Sequence, residues 1–228
     1  MINIRKTAKK EFKFNISKTQ MTVILSGVYI FLQMTADIAA SKLTYFGPWV
    51  MDAGIIYALT FTWRDVIHKQ LGKKAAQTAI ILAGAINILM ALYFLLVIML
   101  PAETQWAAQG GQIAWKFIFG LVPRIVIASI IAEVFSELVD TEVYQWWVKR
   151  IGKNKPQFLR VFVSNAVSIP LDSIIFPLIA FAGVVDIGVI FQMFLTGILV
   201  KCIITLLSFW MIYLVPERPL YRAGAEDE

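Results

Sequence analysis

The segment AAQTAIILAGAINILMALYFLLVIML, residues 75–100, runs for 26 residues without a charged side chain. About 20 apolar residues are enough for a helix to cross the hydrocarbon core of a bilayer, so this segment predicts a transmembrane helix. The rest of the chain has the same character, since 59% of its 228 residues are apolar and only 16% are charged. Soluble domains carry about 25% charged residues. A soluble core of this size cannot hide so much apolar surface, and a disordered chain would be far less hydrophobic.

The apolar runs predict an all-α membrane protein with six transmembrane helices. We expect a basic cytoplasmic tail over residues 1–20, a transmembrane domain over 21–215 and a cytoplasmic C-terminal tail over 216–228. The predicted spans are Met21–Leu43, Trp49–Val66, Ala75–Leu100, Trp115–Tyr144, Phe158–Gly183 and Ile187–Val215.

The basic residues predict the orientation of the spans. Most of the 21 Lys and Arg residues lie in the N-terminal tail, in the second and fourth connections and in the C-terminal tail. Because cytoplasmic loops are rich in Lys and Arg, both termini are predicted to be cytoplasmic. Basic residues in these segments would contact anionic lipid headgroups, which accounts for the net charge of +6. We therefore expect a lipid bilayer as partner and no nucleic acid.

Four of the predicted helices carry a stripe of polar residues at helical spacing. A charged side chain at mid-bilayer is costly and usually faces the bundle interior or a wet cavity, so the stripes are expected to converge there. The stripes are Gln33, Asp37 and Ser41; Ser129, Glu133, Ser136, Glu137 and Asp140; Ser164, Asn165, Ser168 and Asp172; and Lys201, Thr205 and Ser208.

Charge compensation predicts two buried pairs, Lys201 with Asp172 and Arg124 with Asp37, because an opposite charge offsets desolvation only at close range. The acidic residues of the fourth span have no obvious cation. Two carboxyl groups one turn apart in a low dielectric favour holding a proton, which makes Glu133, Glu137 and Asp140 candidates for proton handling. In the alternative, Glu137 and Asp140 reach cytoplasmic water and Glu133 hydrogen-bonds a neighbouring helix.

Two prolines flank the acidic residue of the fifth span in SNAVSIPLDSIIFP, residues 164–177. Proline frees a backbone carbonyl, and interrupted helices at the midplane are where transporters place substrate sites. With Asn165, Ser168 and Asp172 beside them, Pro170 and Pro177 favour a binding site over a simple packing kink. Asn87, alone in the third span, is predicted to make a helix–helix hydrogen bond.

Several of these segments resemble the queuosine-precursor transporter family, whose members are six-span inner-membrane proteins grouped with vitamin-uptake transporters. The similarity extends from about residue 21 to residue 215. The matching segments are TADIAASKL (35–43), RDVIHKQLGKKAA (64–76), PRIVIASIIAEVFSELVD (123–140) and SNAVSIPLDSIIFPLIAFAG (164–183), followed by Lys201.

The resemblance implies uptake of a small molecule, 7-cyano- or 7-aminomethyl-7-deazaguanine, across the inner (plasma) membrane. Such a ring is flat and rich in hydrogen-bond donors and acceptors, so polar side chains are expected to contact its edge and Phe or Tyr its face. The expected substrate-binding residues are Gln33, Asp37, Arg124, Ser129, Asn165, Ser168, Asp172 and Lys201.

Two other classes of protein share features with this sequence. A substrate-binding subunit of an energy-coupling-factor transporter is also small and six-spanned, and Ala36 with Ala40 resembles its small-residue docking face. An intramembrane enzyme is disfavoured because the sequence has no HExxH or GxGD motif and no Ser–His pair at a common depth. With one cysteine, Cys202, and one histidine, His68, we expect no metal and no cofactor. The sequence does not decide whether the chain forms a homo-oligomer or binds an ATPase partner.

Overall fold

The structure is a computed structural model that describes residues 17–150 and 157–214, and it is mostly helical. The helices are α1 (Lys18–Ala39), α2 (Ala58–Leu71), α3 (Lys73–Met99), α4 (Thr104–Ala108), α5 (Gly111–Phe119), α6 (Val122–Arg150), α7 (Gln157–Phe181) and α8 (Ile187–Leu214). Two strands, β1 (Leu43–Phe46) and β2 (Trp49–Asp52), and a 3₁₀ turn (Ile55–Tyr57) connect α1 to α2.

Four stretches of the described helices are long and apolar enough to cross a membrane. They are Lys18–Ala39, Lys74–Met99, Gly111–Ser136 and Ile187–Leu207. Large apolar side chains of α3 point outward, among them Ile81 and Leu89, which are 73% and 65% exposed. Outward-facing aliphatic side chains on long helices are what a lipid-facing surface requires, so the chain is a multi-pass membrane protein.

The beginning of α1 is fixed by a capping box. The Ser17 hydroxyl accepts a hydrogen bond from the backbone N–H of Gln20 at 3.1 Å, and the Gln20 side chain accepts one from the backbone N–H of Ser17 at 2.9 Å. These bonds satisfy two groups at a helix start that would otherwise lack partners. The first predicted span is thus present as a helix, although it ends at Ala39 rather than at Leu43.

The prediction of one continuous helix over Trp49–Val66 is wrong. Strands β1 and β2 form an antiparallel hairpin in which Leu43 pairs with Asp52 and Phe46 with Trp49. A two-residue turn joins them, and Gly47 takes its positive φ of 60°. Aromatic and β-branched residues around such a turn favour a hairpin over a helix. Helix α2 then spans only 14 residues, about 21 Å, which is shorter than the hydrocarbon core.

Helix α7 stays helical through both of its prolines, so the predicted interruption is not present in the described part of this helix. Pro177 still leaves the carbonyl of Ser173 without its usual helical donor. The helix packs mainly against α6 and also against α8. An apolar cluster at the far end of α7, built around Ile125, Phe181 and Met193, holds these three helices together.

Candidate substrate-binding site

A cavity lies where α1, the hairpin, α2, α6, α7 and α8 meet. Its volume, measured to the centres of water-sized spheres, is about 60 Å³. One water needs about 10–15 Å³ in this measure, so the cavity has room for several. Its polar lining consists of Asp37, Asp52, Tyr57, Ser129, Asp172 and Lys201, and its apolar lining includes Ala36, Ala40, Met51, Ile55, Phe176 and Val200.

The predicted ion pair between α7 and α8 is confirmed. The Lys201 ammonium donates to Asp172 Oδ2, and Ser173 Oγ lies 3.3 Å from the same nitrogen. Asp172 is 1% exposed. The Lys201 nitrogen also lies 5.7 Å from the centre of the Tyr57 ring, within cation–π range. Four side chains from three elements thus converge on one side of the cavity.

Asp37 is not paired with Arg124, so the second predicted ion pair is wrong. Its Oδ2 accepts a hydrogen bond of 2.7 Å from the Asn87 amide, which confirms the predicted helix–helix role of Asn87. Arg124 instead donates to the backbone carbonyls of Ile179 and Ala182, each at 2.6 Å. The last carbonyls of a helix lack intrahelical partners and carry partial negative charge, so the end of α7 satisfies this guanidinium.

Asp52 is a polar group of the cavity that the sequence analysis missed. It ends strand β2, and its Oδ1 accepts a hydrogen bond of 2.9 Å from the backbone N–H of Gly54. A Cβ at Gly54 would lie 3.0 Å from the carbonyl oxygen of Ala36, so only glycine allows the hairpin to pack this closely on α1. The sequence signal was present, because Asp52 is the one acidic residue between residues 38 and 64 and an Ala-Gly pair follows it.

One helical turn from the cavity, α1 and α6 form a second polar contact, which we name the interhelix cluster and define as Tyr29, Gln33 and Glu133. The Tyr29 hydroxyl donates to Glu133 Oε1 at 2.7 Å, and the Gln33 amide donates to the two carboxylate oxygens at 3.0 and 3.1 Å. All three residues are buried. Glu133 therefore hydrogen-bonds a neighbouring helix, as the alternative interpretation expected.

The structure brings together Asp37, Ser129, Asp172 and Lys201 of the eight predicted substrate-binding residues. Gln33 belongs to the interhelix cluster, Arg124 binds the end of α7, and Ser168 is buried outside the cavity lining. The side chains of Asn165, Glu137 and Asp140 lie outside the described residues.

Comparisons with known proteins agree with this transmembrane architecture. Residues 52–215 match the sequence profile of a family described as "Putative vitamin uptake transporter". The chain belongs to this family. A curated protein of Bacillus subtilis (strain 168), named "Probable queuosine precursor transporter", is 29% identical over 163 residues, which cover 72% of this chain and 70% of that protein. No solved structure gives a significant match.

The predicted family resemblance is confirmed by these matches, and membership of this family indicates a transporter rather than an enzyme. Neither description names a subunit of an energy-coupling-factor transporter. The region that matches this vitamin uptake transporter family contains every cavity residue except Ala36, Asp37, Ala40 and Met51.

Proposed function

We propose that this chain imports queuosine precursors, 7-cyano- or 7-aminomethyl-7-deazaguanine, across the inner (plasma) membrane, and that the cavity binds them. The observation that carries the proposal is the meeting of buried charged groups from α1, α7, α8 and the hairpin around one cavity inside a membrane protein. Charged groups at such depth are expensive to bury and commonly mark substrate pathways. The name of the Bacillus subtilis relative supports the choice of substrate.

The lining suits a flat, purine-like ring. The edge of the ring can form hydrogen bonds with four side chains. The carboxyl groups of Asp37 and Asp172 offer acceptors, the Ser129 hydroxyl offers a donor and acceptors, and the Lys201 ammonium offers donors. Tyr57 and Phe176 supply aromatic surface for its faces. We assign substrate contact to these residues.

The other predicted binding residues receive supporting roles. Gln33 hydrogen-bonds Glu133, Arg124 hydrogen-bonds the end of α7, and Ser168 is buried outside the lining. Asn165 stays a predicted contact.

We also propose six crossings with both termini in the cytoplasm. The second crossing would consist of β2, the 3₁₀ turn and α2 together, and the fifth of α7. The basic residues of alternate connections support this orientation. The exposed aromatic rings of the hairpin, Tyr45, Phe46 and Trp49, suit the outer membrane–water interface.

Single cysteines test this topology in a Cys202→Ser background. A membrane-impermeant maleimide should label Tyr45→Cys in intact spheroplasts, whereas Lys18→Cys should react only after the membrane is opened. The reverse pattern would contradict the orientation.

Proton handling is assigned to Glu133, with Glu137 and Asp140 nearer the cytoplasm. In the described state both oxygens of Glu133 act as acceptors, so a proton on this group would cost the cluster a hydrogen bond. Protonation would thus loosen the contact between α1 and α6 beside the cavity.

Uptake of labelled 7-deazaguanines tests the function directly. Cells that lack their own precursor synthesis should accumulate the label and recover queuosine in transfer RNA when they express this chain. Accumulation no greater than in cells with an empty vector would contradict the proposal. Collapse of the pH gradient should slow uptake, and an unchanged rate would remove the proton role of Glu133.

A further inference from the structure

Two aspartates of the cavity are buried to almost the same degree but have different partners. Asp172 is 1% exposed and Asp37 is 3% exposed. The Lys201 ammonium compensates Asp172, whereas among the side chains that the structure describes no basic group forms an ion pair with Asp37. An ionised group in a low dielectric is costly without an opposite charge, and a carboxyl group avoids this cost by keeping its proton. The two aspartates are therefore expected to differ in charge.

The partner of Asp37 on α3, Asn87, gives an independent indication. Its amide nitrogen donates to Asp37 Oδ2 at 2.7 Å. Its amide oxygen is buried as well and has no hydrogen-bond partner within the part of the chain that the structure describes. Buried polar atoms are nearly always paired in native proteins. A carboxylate only accepts hydrogen bonds, but a protonated carboxyl group has an O–H that donates, so a proton on Asp37 supplies the donor that this oxygen lacks.

The groups that face Asp37 from other elements favour the same charge state. Ser129 of α6 hydrogen-bonds Asp37 and is neutral, and the charged groups that act on Asp37 most strongly are Glu133 of α6 and Asp52 of β2, both of them acids. Neighbouring carboxyl groups in a low dielectric repel each other when both are ionised, so such a pair favours holding one proton. Both oxygens of Glu133 already accept hydrogen bonds in the interhelix cluster. The proton is therefore expected on Asp37.

We infer that Asp37 carries a proton in the described state and is the proton-binding residue of the cavity, with Asn87 as its hydrogen-bond partner. The inference rests on the proposed function and deepens it, because it places a proton at the substrate cavity while Glu133 is ionised. Release of this proton to water breaks the O–H bond and leaves a buried carboxylate without a cation. Since such a group is costly to keep dry, release favours opening of the cavity to water.

Infrared spectra of the detergent-solubilised protein test the charge state without any substrate. The C=O stretch of a protonated carboxyl group lies at higher frequency than the stretches of carboxylates and amides. At neutral pH the wild type should show a band of this kind that Asp37→Asn lacks. The asparagine keeps the size of the side chain and has an N–H where the acid has its O–H, so it can still pair with Asn87 in both directions and should fold. A band that persists unchanged in Asp37→Asn would overturn the inference.

Two further variants complete this test, and melting temperatures show which variants are folded. Asp186→Asn is the control, because Asp186 lies exposed directly before α8, and its removal should leave the band unchanged. Asn87→Leu keeps Asp37 but removes both partners of the acid, so the band should move to higher frequency. A band that does not move would contradict the pairing of Asp37 with Asn87, and this variant also decides the inference if Asp37→Asn does not fold.

Uptake into liposomes tests the link between this proton and transport. The labelled cyano base is the probe, since it has no amine that titrates with pH. A pH gradient with the acidic side outside should raise the wild-type and Asp186→Asn rates and should not change the rate of Asp37→Asn. An equal response of Asp37→Asn and the wild type would overturn the inference, although the proposed function stands. If the wild type does not take up the base at all, the proposed function fails, and the infrared band still decides whether Asp37 holds a proton.

Discussion

The cavity and the interhelix cluster are built from the same two polar stripes, yet they are opposite in character. On α1, Asp37 lines the cavity and Gln33 belongs to the cluster, one turn apart. On α6, Ser129 and Glu133 divide in the same way. In the cluster, side chains satisfy one another at 2.7–3.1 Å. In the cavity, carboxyl groups border open space and retain unused acceptor capacity.

The difference shows that polarity inside a membrane helix does not by itself locate a binding site. A saturated polar contact joins two helices, because each donor and acceptor already has a partner inside the protein. A polar group beside a cavity that still has free hydrogen-bonding capacity is available to a ligand. Substitutions in the two regions should therefore separate effects on uptake from effects on stability.

The largest effect is expected from breaking the buried ion pair of the cavity. Lys201→Met leaves Asp172 as an unpaired buried charge. It should lower the free energy of unfolding by about 3–5 kcal/mol and abolish uptake. The double variant Asp172→Leu with Lys201→Met removes both charges and should regain most of the melting temperature of the detergent-solubilised protein. Its uptake should stay absent, because the lining has lost the two polar contacts that Asp172 and Lys201 are proposed to make with the substrate. Restored uptake in the double variant would mean that the pair serves only stability.

A smaller effect is expected from disturbing the wall of the cavity. In Gly54→Ala the new Cβ would lie 2.8 Å from Asp52 Oδ1 and 3.0 Å from the Ala36 carbonyl, so the hairpin must move away from α1. Overpacking of this kind costs about 1–3 kcal/mol, and we expect the KM for uptake to rise. Gly27→Ala on α1 is the control, since a Cβ there meets nothing within 4 Å. Equal kinetics for the two variants would contradict the role given to the hairpin.

The smallest effect on uptake is expected in the interhelix cluster. Tyr29→Phe removes the hydroxyl that donates to Glu133 and should lower stability by about 1–3 kcal/mol, because a buried acceptor loses a donor. Tyr93→Phe on α3 removes an exposed hydroxyl and should change the melting temperature little. At a temperature where both variants are folded, uptake should match that of the wild type. The carboxyl group of Glu133, with its proposed proton role, is unchanged in this variant, so a Tyr29→Phe protein with normal stability and impaired uptake would contradict the structural role given to the Tyr29 hydroxyl.

The sequence predicted the parts of the site that depend on periodicity and charge. The spacing of Gln33 and Asp37 on α1 and of Asp172 on α7 identified the buried faces, and the need for compensation identified the pair of Lys201 and Asp172. It did not predict the hairpin, because a short apolar run favours a strand and a helix equally until neighbouring elements are known. The polar group that the hairpin supplies, Asp52, was missed for this reason.

The sequence also did not predict the partner of a buried charge where several partners were possible. Arg124 and Asp37 were predicted to pair because each buried charge needs an opposite charge at close range. In the fold, the nearest acceptors for Arg124 are backbone carbonyls at the end of α7, and no sequence pattern records where such carbonyls come to lie.

The amino-acid sequence alone determined that this chain lies in a membrane, which helix faces are polar and to which family it belongs, because these properties follow from composition and local order. Tertiary structure alone decided which polar groups saturate one another and which surround a cavity. That distinction depends on distances of about 3 Å between elements far apart in the chain, and only packing sets such distances.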